Sequence, residues 1–452
     1  MQSKNEAALA NMPVPKAIAK FAIPTVLSQL IHVIYSLADT FFVGHTGDEM
    51  QISALTLTFP IFMMITCVGN LFGIGANSYM SRALGRGERE EARKSSVIAL
   101  YAAMAVSLLL SVAAGVWMEP LLYFVGASDG NLPHAAEYLK WTIVLGMLPS
   151  VASLVIGHEL RAVGETGKAS RGMIGGGLAN IVLDYLLIFP CGMGVAGAGL
   201  ATAASNCGVL VYYIIEIIRM KKGDTIELRI HKLVPRRDIL REIVLVGLPS
   251  AIQIILGSSS NIIMTRLLHG YGEVAMAAYG VSQKIASIGV QITIGLTHGI
   301  MPLVGYSYGA GNMARVREIS RVSFAVLACA VVLGLAGVLC FPRAITDAFV
   351  TNAATAALAA EFLKIHIFCL PGNSYVNLFG ALFQAMGKWK RALALQCIRI
   401  GGLMIPMLLL FSLFGSMYAL IAAAPAADTL SLCLAAGMYF MLLRERKQER
   451  KA

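Results

Sequence analysis

Long apolar runs alternate with short polar breaks along the whole chain, near residues 17–43, 52–81, 93–118, 136–158, 170–190, 195–218, 240–266, 275–306, 319–341, 357–385, 392–413 and 416–442. A helix needs about 20 apolar residues to cross roughly 30 Å of hydrocarbon, so the pattern predicts twelve membrane-spanning helices. Glycine and proline clusters such as Phe189-Pro190-Cys191-Gly192 and Leu370-Pro371-Gly372 end or kink these runs, and membrane helices tolerate both. The first run is too long for the apolar core of a signal peptide and no small-residue cleavage site follows it. It reads as a retained first helix.

Composition strengthens this picture. Of 452 residues, 57% are hydrophobic and 13% charged, with a mean hydropathy of +0.72. A soluble domain carries about 25% charged residues, so an ordinary water-soluble fold is excluded and no sizeable soluble domain fits beside the spans. The net charge of +11 takes its meaning from position: with the N-terminus inside, the inner segments hold 31 of the 36 Lys and Arg, and the outer loops hold only Arg266 and Arg343. Both termini are therefore expected in the cytoplasm, and no nucleic-acid partner is implied. The expected location is the plasma membrane, or the inner membrane of a Gram-negative cell. The eight cysteines never form Cys-x-x-Cys, which argues against a zinc site or a disulfide framework.

The basic linker from Arg219 to Arg241 divides two similar halves. Phe21-Ala-Ile-Pro24-Thr answers to Val246-Gly-Leu-Pro249-Ser, and Leu84-Gly85-Arg-Gly87 to Tyr308-Gly309-Ala-Gly311. A third match, Leu160 to Ala169 with Phe383 to Ala392, falls at nearly the same offset; the three offsets are 225, 224 and 223. Two six-helix repeats that start on the same side are related by an axis along the membrane normal, with a central cleft between bundles. The expected architecture is an all-α polytopic membrane protein with pseudo-symmetric bundles at residues 1–225 and 226–452.

Motifs for other chemistry are missing. Gly164-Glu-Thr-Gly167-Lys168-Ala-Ser170 has the wrong glycine spacing for a phosphate-binding loop, and His158-Glu159 lacks the second histidine of a metalloprotease helix, since position 162 is Ala. No serine nucleophile elbow is present. An enzyme is therefore not expected, and an ion gradient or the substrate's own gradient remains as the drive.

Ionisable groups inside spans are costly and default to function. Asp39, Asp184, Lys284 and Asp428 lie deepest, whereas Glu216, Arg399 and Lys364 lie near helix ends, where they can snorkel. At 1.5 Å per residue, Asp39 lies about 28 Å from the inner face, Asp184 about 20 Å and Thr202 roughly 25 Å. Asn180 precedes Asp184 by four residues and shares its helix face. Two carboxylates, an amide oxygen and a hydroxyl at overlapping depth suit a hard cation such as Na+. They suit a proton equally, because two carboxylates in a low-dielectric pocket cannot both stay ionised cheaply. Lys284 and Asp428 agree in depth, at about 16 Å and 18 Å along their helices, and are expected to pair; the alternative is a cleft-facing Lys284.

These residues resemble the multidrug and toxic compound extrusion (MATE) family over nearly the whole chain. The resemblance rests on Tyr35-Ser-Leu-Ala-Asp39-Thr-Phe-Phe-Val-Gly44, on Gly75 to Gly87 at the end of helix 2, and on Pro302-Leu-Val-Gly-Tyr306-Ser-Tyr-Gly309-Ala-Gly311. It implies antiport: Na+ or H+ enters while amphipathic, often cationic organic compounds leave, as two bundles rock. Similarity to the DinF branch implies that Asp39, Asn180, Asp184 and Thr202 hold the coupling cation, with no other cofactor, and that Pro24 is a hinge. The acids of helices 7 and 10 that mark the NorM branch have no counterpart between Pro249 and Leu268 or between Ile365 and Met386. A second cation site of that kind is not expected.

A major-facilitator exporter shares the 6 + 6 pattern, but its Gly-x-x-x-Asp-Arg/Lys-x-Gly loop is missing. A flippase for a lipid-linked oligosaccharide or another amphipathic lipid is the stronger rival; such proteins carry several cleft cations, and Lys284 is the only deep one here. The expected partners are the lipid bilayer and a small organic substrate, with the protein acting as a monomer. The 22 methionines and 18 phenylalanines supply material for an adaptable cleft.

Overall fold

The structure, a computed structural model, describes residues 4–220, 225–232, 236–350 and 352–449. Helix accounts for 88% of it, and no strand occurs among the described residues. In chain order the first helices are α1 (Lys4–Asn11), α2 (Val14–Gly44), α3 (Glu49–Arg86), α4 (Arg89–Val116), α5 (Met118–Phe124) and α6 (Leu132–Leu139). A π-helical stretch, Lys140–Leu145, leads into α7 (Met147–Ala162), α8 (Thr166–Ile188) and α9 (Gly194–Arg219). After the linker come α10 (Arg237–His269), α11 (Glu273–Gly309), α12 (Met313–Cys340), α13 (Pro342–Asp347), α14 (Ala353–His366) and α15 (Cys369–Ala385). The chain ends with α16 (Trp389–Gln396), a second π-helical stretch (Cys397–Met404), α17 (Ile405–Ser412) and α18 (Met417–Glu449).

Among the described residues ten helices are long and apolar enough to cross a membrane, and two bent pairs bring the number to twelve if each pair is one span. The bends are 49° between Leu132–Leu145 and Met147–Ala162, and 48° between Ala353–His366 and Cys369–Ala385. A single apolar run predicted each pair. Large apolar side chains such as Leu109, Val112, Val182, Leu333 and Phe440 are exposed, as expected where lipid rather than water is the solvent. All eight cysteines are free thiols.

The chain forms two compact units. The first contains Met1–Ala251, His298–Val316 and Ala385–Gly387; the second contains Ile252–Thr297, Arg317–Gln384 and Lys388–Ala452. These units are not coextensive with the halves 1–225 and 226–452, because α10, α11, α12 and α15 each contribute one end to the first unit. Residues 221–224 and 233–235 of the basic linker lie outside the described residues.

Close backbone approach organises the first unit. A Cβ at Gly75 of α3 would land on the carbonyl oxygen of Ile243 in α10, and one at Gly299 of α11 would lie 2.5 Å from Ala22 Cα in α2. The second unit is organised by an apolar core that includes Met264, Leu268, Phe362, Leu408, Leu420 and Ile421.

Candidate cation site

The site begins with the glycines of α8. A Cβ at Gly172 or Gly176 would collide with Tyr213 or Val209 of α9, and one at Gly177 would lie 2.8 Å from Ile31 Cγ2 and 3.2 Å from Tyr35 Cδ1 of α2. Small residues thus let α2 and α9 close on α8 from two sides. The next turns of α8 then carry Asn180 and Asp184 between those neighbours. Both are buried, at 2% and 0% exposure, and Thr202 of α9 is 7% exposed. Asn180 Nδ2 donates a long hydrogen bond, 3.5 Å, to Thr202 Oγ1.

Asp39 comes from α2, one turn after Tyr35. Its carboxylate is within electrostatic reach of Asp184, and Tyr35 and Tyr138 lie within reach of both acids. Tyr138 reaches the group because Gly199 of α9 admits α6: a Cβ there would lie 3.1 Å from Tyr138 O. The structure therefore brings Asp39, Asn180, Asp184 and Thr202 into one region and adds two phenols.

Four oxygens in this group are buried without a hydrogen-bond partner among the described residues: Asp39 Oδ1, Asn180 Oδ1 and both carboxylate oxygens of Asp184. Buried acceptors are normally satisfied, since an unmatched one costs about 1–3 kcal/mol and more when charged. The donor set is one of hard oxygens, suited to Na+ or to a proton shared between carboxylates. No cluster of three or more His, Cys, Asp or Glu side chains that could hold a metal ion occurs among the described residues.

Pro24 lies inside α2. Its ring removes one intrahelical donor, and the adjacent Thr25 Oγ1 donates to Phe21 O at 3.1 Å and Ala22 O at 2.8 Å. The helix thus continues through the proline with its neighbouring carbonyls held by a side chain.

The expected pair of Lys284 and Asp428 is corrected. Asp428 takes Arg399 as its partner, with Nε donating to Oδ1 at 2.9 Å and side chains only 5% and 1% exposed. Lys284 is exposed and forms no ion pair among the described residues. Matching depths give position along an axis but not azimuth around it, and Arg399 lies in the π-helical stretch Cys397–Met404, whose wider turn breaks α-helical register. Arg399 does not snorkel; it is buried.

Sequence reasoning missed the two tyrosines, although Tyr35 stands four residues before Asp39 and so on its face. It also set His158 and Glu159 aside once the protease motif failed. Glu159 is fully buried, accepts a 2.8 Å hydrogen bond from Ser96 Oγ and leaves Oε1 unpartnered. The His158 ring lies 5.0 Å from that of His298 and contacts Asn70 Oδ1 at 3.4 Å.

Twelve candidate spans, counting each bent pair as one, and a glycine-packed cluster of buried oxygens define a multi-pass membrane protein with a polar site inside its first bundle. The chain belongs to the MATE family, whose model, described as MatE, matches it twice, at residues 24–186 and 249–410. The two matches are displaced by 225 residues at their starts and 224 at their ends, the spacing of the internal repeat. The multidrug export protein MepA of Staphylococcus aureus is 30% identical over 439 residues, covering 96% of this chain and 95% of its own. MepA of Staphylococcus saprophyticus is 30% identical over 444 residues, covering 97% and 96%. A crystal structure of a MATE protein in the straight conformation shares the fold, with a TM-score of 0.93 at 21% identity over 99% of this chain and 100% of that one.

Proposed function

We propose that this chain is a secondary active antiporter that exports amphipathic, often cationic organic compounds in exchange for Na+ or H+. The observation that carries the reading is the group of four unpartnered buried oxygens on Asp39, Asn180 and Asp184, with the Thr202 hydroxyl at its edge. Such a group is stabilised by a cation or by protons and is costly without them, so ion occupancy can bias the packing of α2 against α8. The MepA relatives, named for multidrug export, support the substrate class. In this reading Asp39 and Asp184 bind the ion, Asn180 and Thr202 complete its shell, and Pro24 gives α2 a point of bending. The halves 1–225 and 226–452 rock about a central cleft in the plasma membrane, with both termini cytoplasmic and the protein working as a monomer.

Reconstitution into proteoliposomes with imposed Na+ or H+ gradients and a panel of cationic dyes tests this directly. Asp39→Asn and Asp184→Asn keep shape but remove the titratable charge, so gradient-driven export is expected to fall at least ~10-fold while the protein stays monodisperse. Undiminished export by the double variant would sink the assignment. Gradient-independent movement of a lipid-linked oligosaccharide, with no dye export, would point to a flippase.

A further inference from the structure

The glycine motifs that mark the repeat, Gly85 and Gly309, remain unused by the cation site. A Cβ at Gly85 of α3 would land on the carbonyl oxygen of Tyr306 in α11, and a Cβ at Gly309 would land on the carbonyl oxygen of Arg82 in α3. The arrangement maps onto itself, since Gly309 is the repeat equivalent of Gly85 and Tyr306 that of Arg82, both at the 224-residue offset. It is an isologous contact between repeats, formed by backbone on backbone.

Arg82 ties further segments to the crossing. Its side chain is 10% exposed; Nη1 donates to Glu242 of α10 at 2.7 Å and Nε to Ser78 O at 3.1 Å. A Cβ at Gly387 would lie 2.6 Å from Arg82 Nη1, and Ser78 Oγ donates to Ala385 O at 3.4 Å. All of these residues belong to the first unit.

The polar inventory is unlike that of a permanent core. Asn77, Ser78, Ser81 and Ser307 are at most 1% exposed, yet Asn77 Oδ1, Arg82 Nη2 and Ser307 Oγ lack hydrogen-bond partners among the described residues. Groups of this kind are a cost in a surface that stays shut, and are satisfied in one that is wetted in a second state. The crossing sits at the helix ends that carry Arg86 and Arg89, the basic side of the molecule.

We propose that the Gly85–Gly309 crossing, fastened by Arg82 to Glu242, is the inner gate of the transport cycle: it closes while the cation site is served from the outside and parts to admit substrate from the basic side. This rests on the antiport reading above. Each glycine serves to let a carbonyl of the opposite repeat approach, so a single methyl group at either position holds the gate ajar.

The test uses a cysteine-free chain carrying Ser307→Cys in sealed vesicles of both orientations, labelled with a membrane-impermeant maleimide. Labelling is expected to be slow in the parent and to rise at least ~10-fold from the basic side alone when Gly85→Ala or Gly309→Ala is added. Gly208→Ala, a helical glycine with open space around it, should change nothing. Glu242→Gln, which spares the backbone contact, is expected to give a smaller rise of several-fold. Parent-like labelling of folded Gly85→Ala and Gly309→Ala overturns the proposal, as does a rise equal from both sides. Should both alanine variants fail to fold, no increase in Glu242→Gln overturns it instead. Labelling needs neither gradient nor substrate, so a failed antiport assay with normal gate labelling separates the two readings.

Discussion

Glu227 lies on the short segment after α9 and is 4% exposed, although it is outside any span. Burial pushes its carboxyl up, but the Arg93 hydrogen bond, the Arg229 backbone N–H and the charges of both guanidinium groups outweigh this and hold it below its usual 4.5. Its own N–H faces Ser96 Oγ at 3.5 Å, the same hydroxyl that donates to buried Glu159, and Tyr101 Oη donates to Leu228 O at 2.7 Å. The segment is thus pinned to α4 by this acid and by the Tyr101 hydroxyl. A depressed folded value means that the stabilisation is fully present above pH 4.5 and is lost as pH falls through the lowered value. Amide hydrogen exchange across residues 225–232 should therefore quicken below about pH 4. Hydrogen bonds to a charge contribute about 1.5–3 kcal/mol, so Glu227→Gln should lose at least ~10-fold protection at neutral pH and show a flat acid profile. Wild-type protection in Glu227→Gln would show that the Tyr101 hydrogen bond and the buried Ile226 hold the segment instead.

At the scale of elements, the buried pair of Arg399 and Asp428 joins the π-helical stretch to α18, and α15 meets the same place: a Cβ at Gly372 would lie 2.6 Å from Asp428 O. Removing one partner of a buried pair strands the other. Asp428→Ala is expected to destabilise by about 3–5 kcal/mol, while Arg399→Met with Asp428→Leu should recover most of the loss. Melting of purified protein in detergent checks this, and equal losses in single and double variants would contradict it. The example also shows where the sequence stopped speaking. The apolar runs revealed each candidate span among the described residues, because hydropathy over 20 residues is a property of the run alone. The π-helical stretches and the size of the 49° and 48° bends depend on packing against neighbours; Leu370-Pro371-Gly372 marks 357–385 for an end or a kink, whereas 136–158 reads as one uninterrupted run. Asp39, Asn180, Asp184 and Thr202 were legible because acids and amides are rare at such depth. The partner of Asp428 was not, since choosing between Lys284 and Arg399 needs the rotation of each helix.

For the whole molecule, repeat and charge make one combined statement. The family model matches twice at the repeat spacing; if each half holds an even number of spans, both are expected to enter the membrane from the same side. Lys and Arg then decide which side it is: Arg86 and Arg89 flank the turn between α3 and α4, whereas the loop after α5, around Ser128, carries none. Positive residues in short loops favour the cytoplasm. In a cysteine-free chain, Ser128→Cys should therefore be labelled in intact cells by an impermeant maleimide. Glu88→Cys, whose parent side chain is half exposed in its pair with Arg86, should be labelled only in inside-out vesicles. Residue 351, the equivalent outer position in the second half, lies outside the described residues, and Val350→Cys can stand in for it. If Val350→Cys followed Glu88→Cys instead of Ser128→Cys, the halves would be inverted relative to each other, and the parallel repeat, the shared inner gate and the cytoplasmic placement of both termini would fall together.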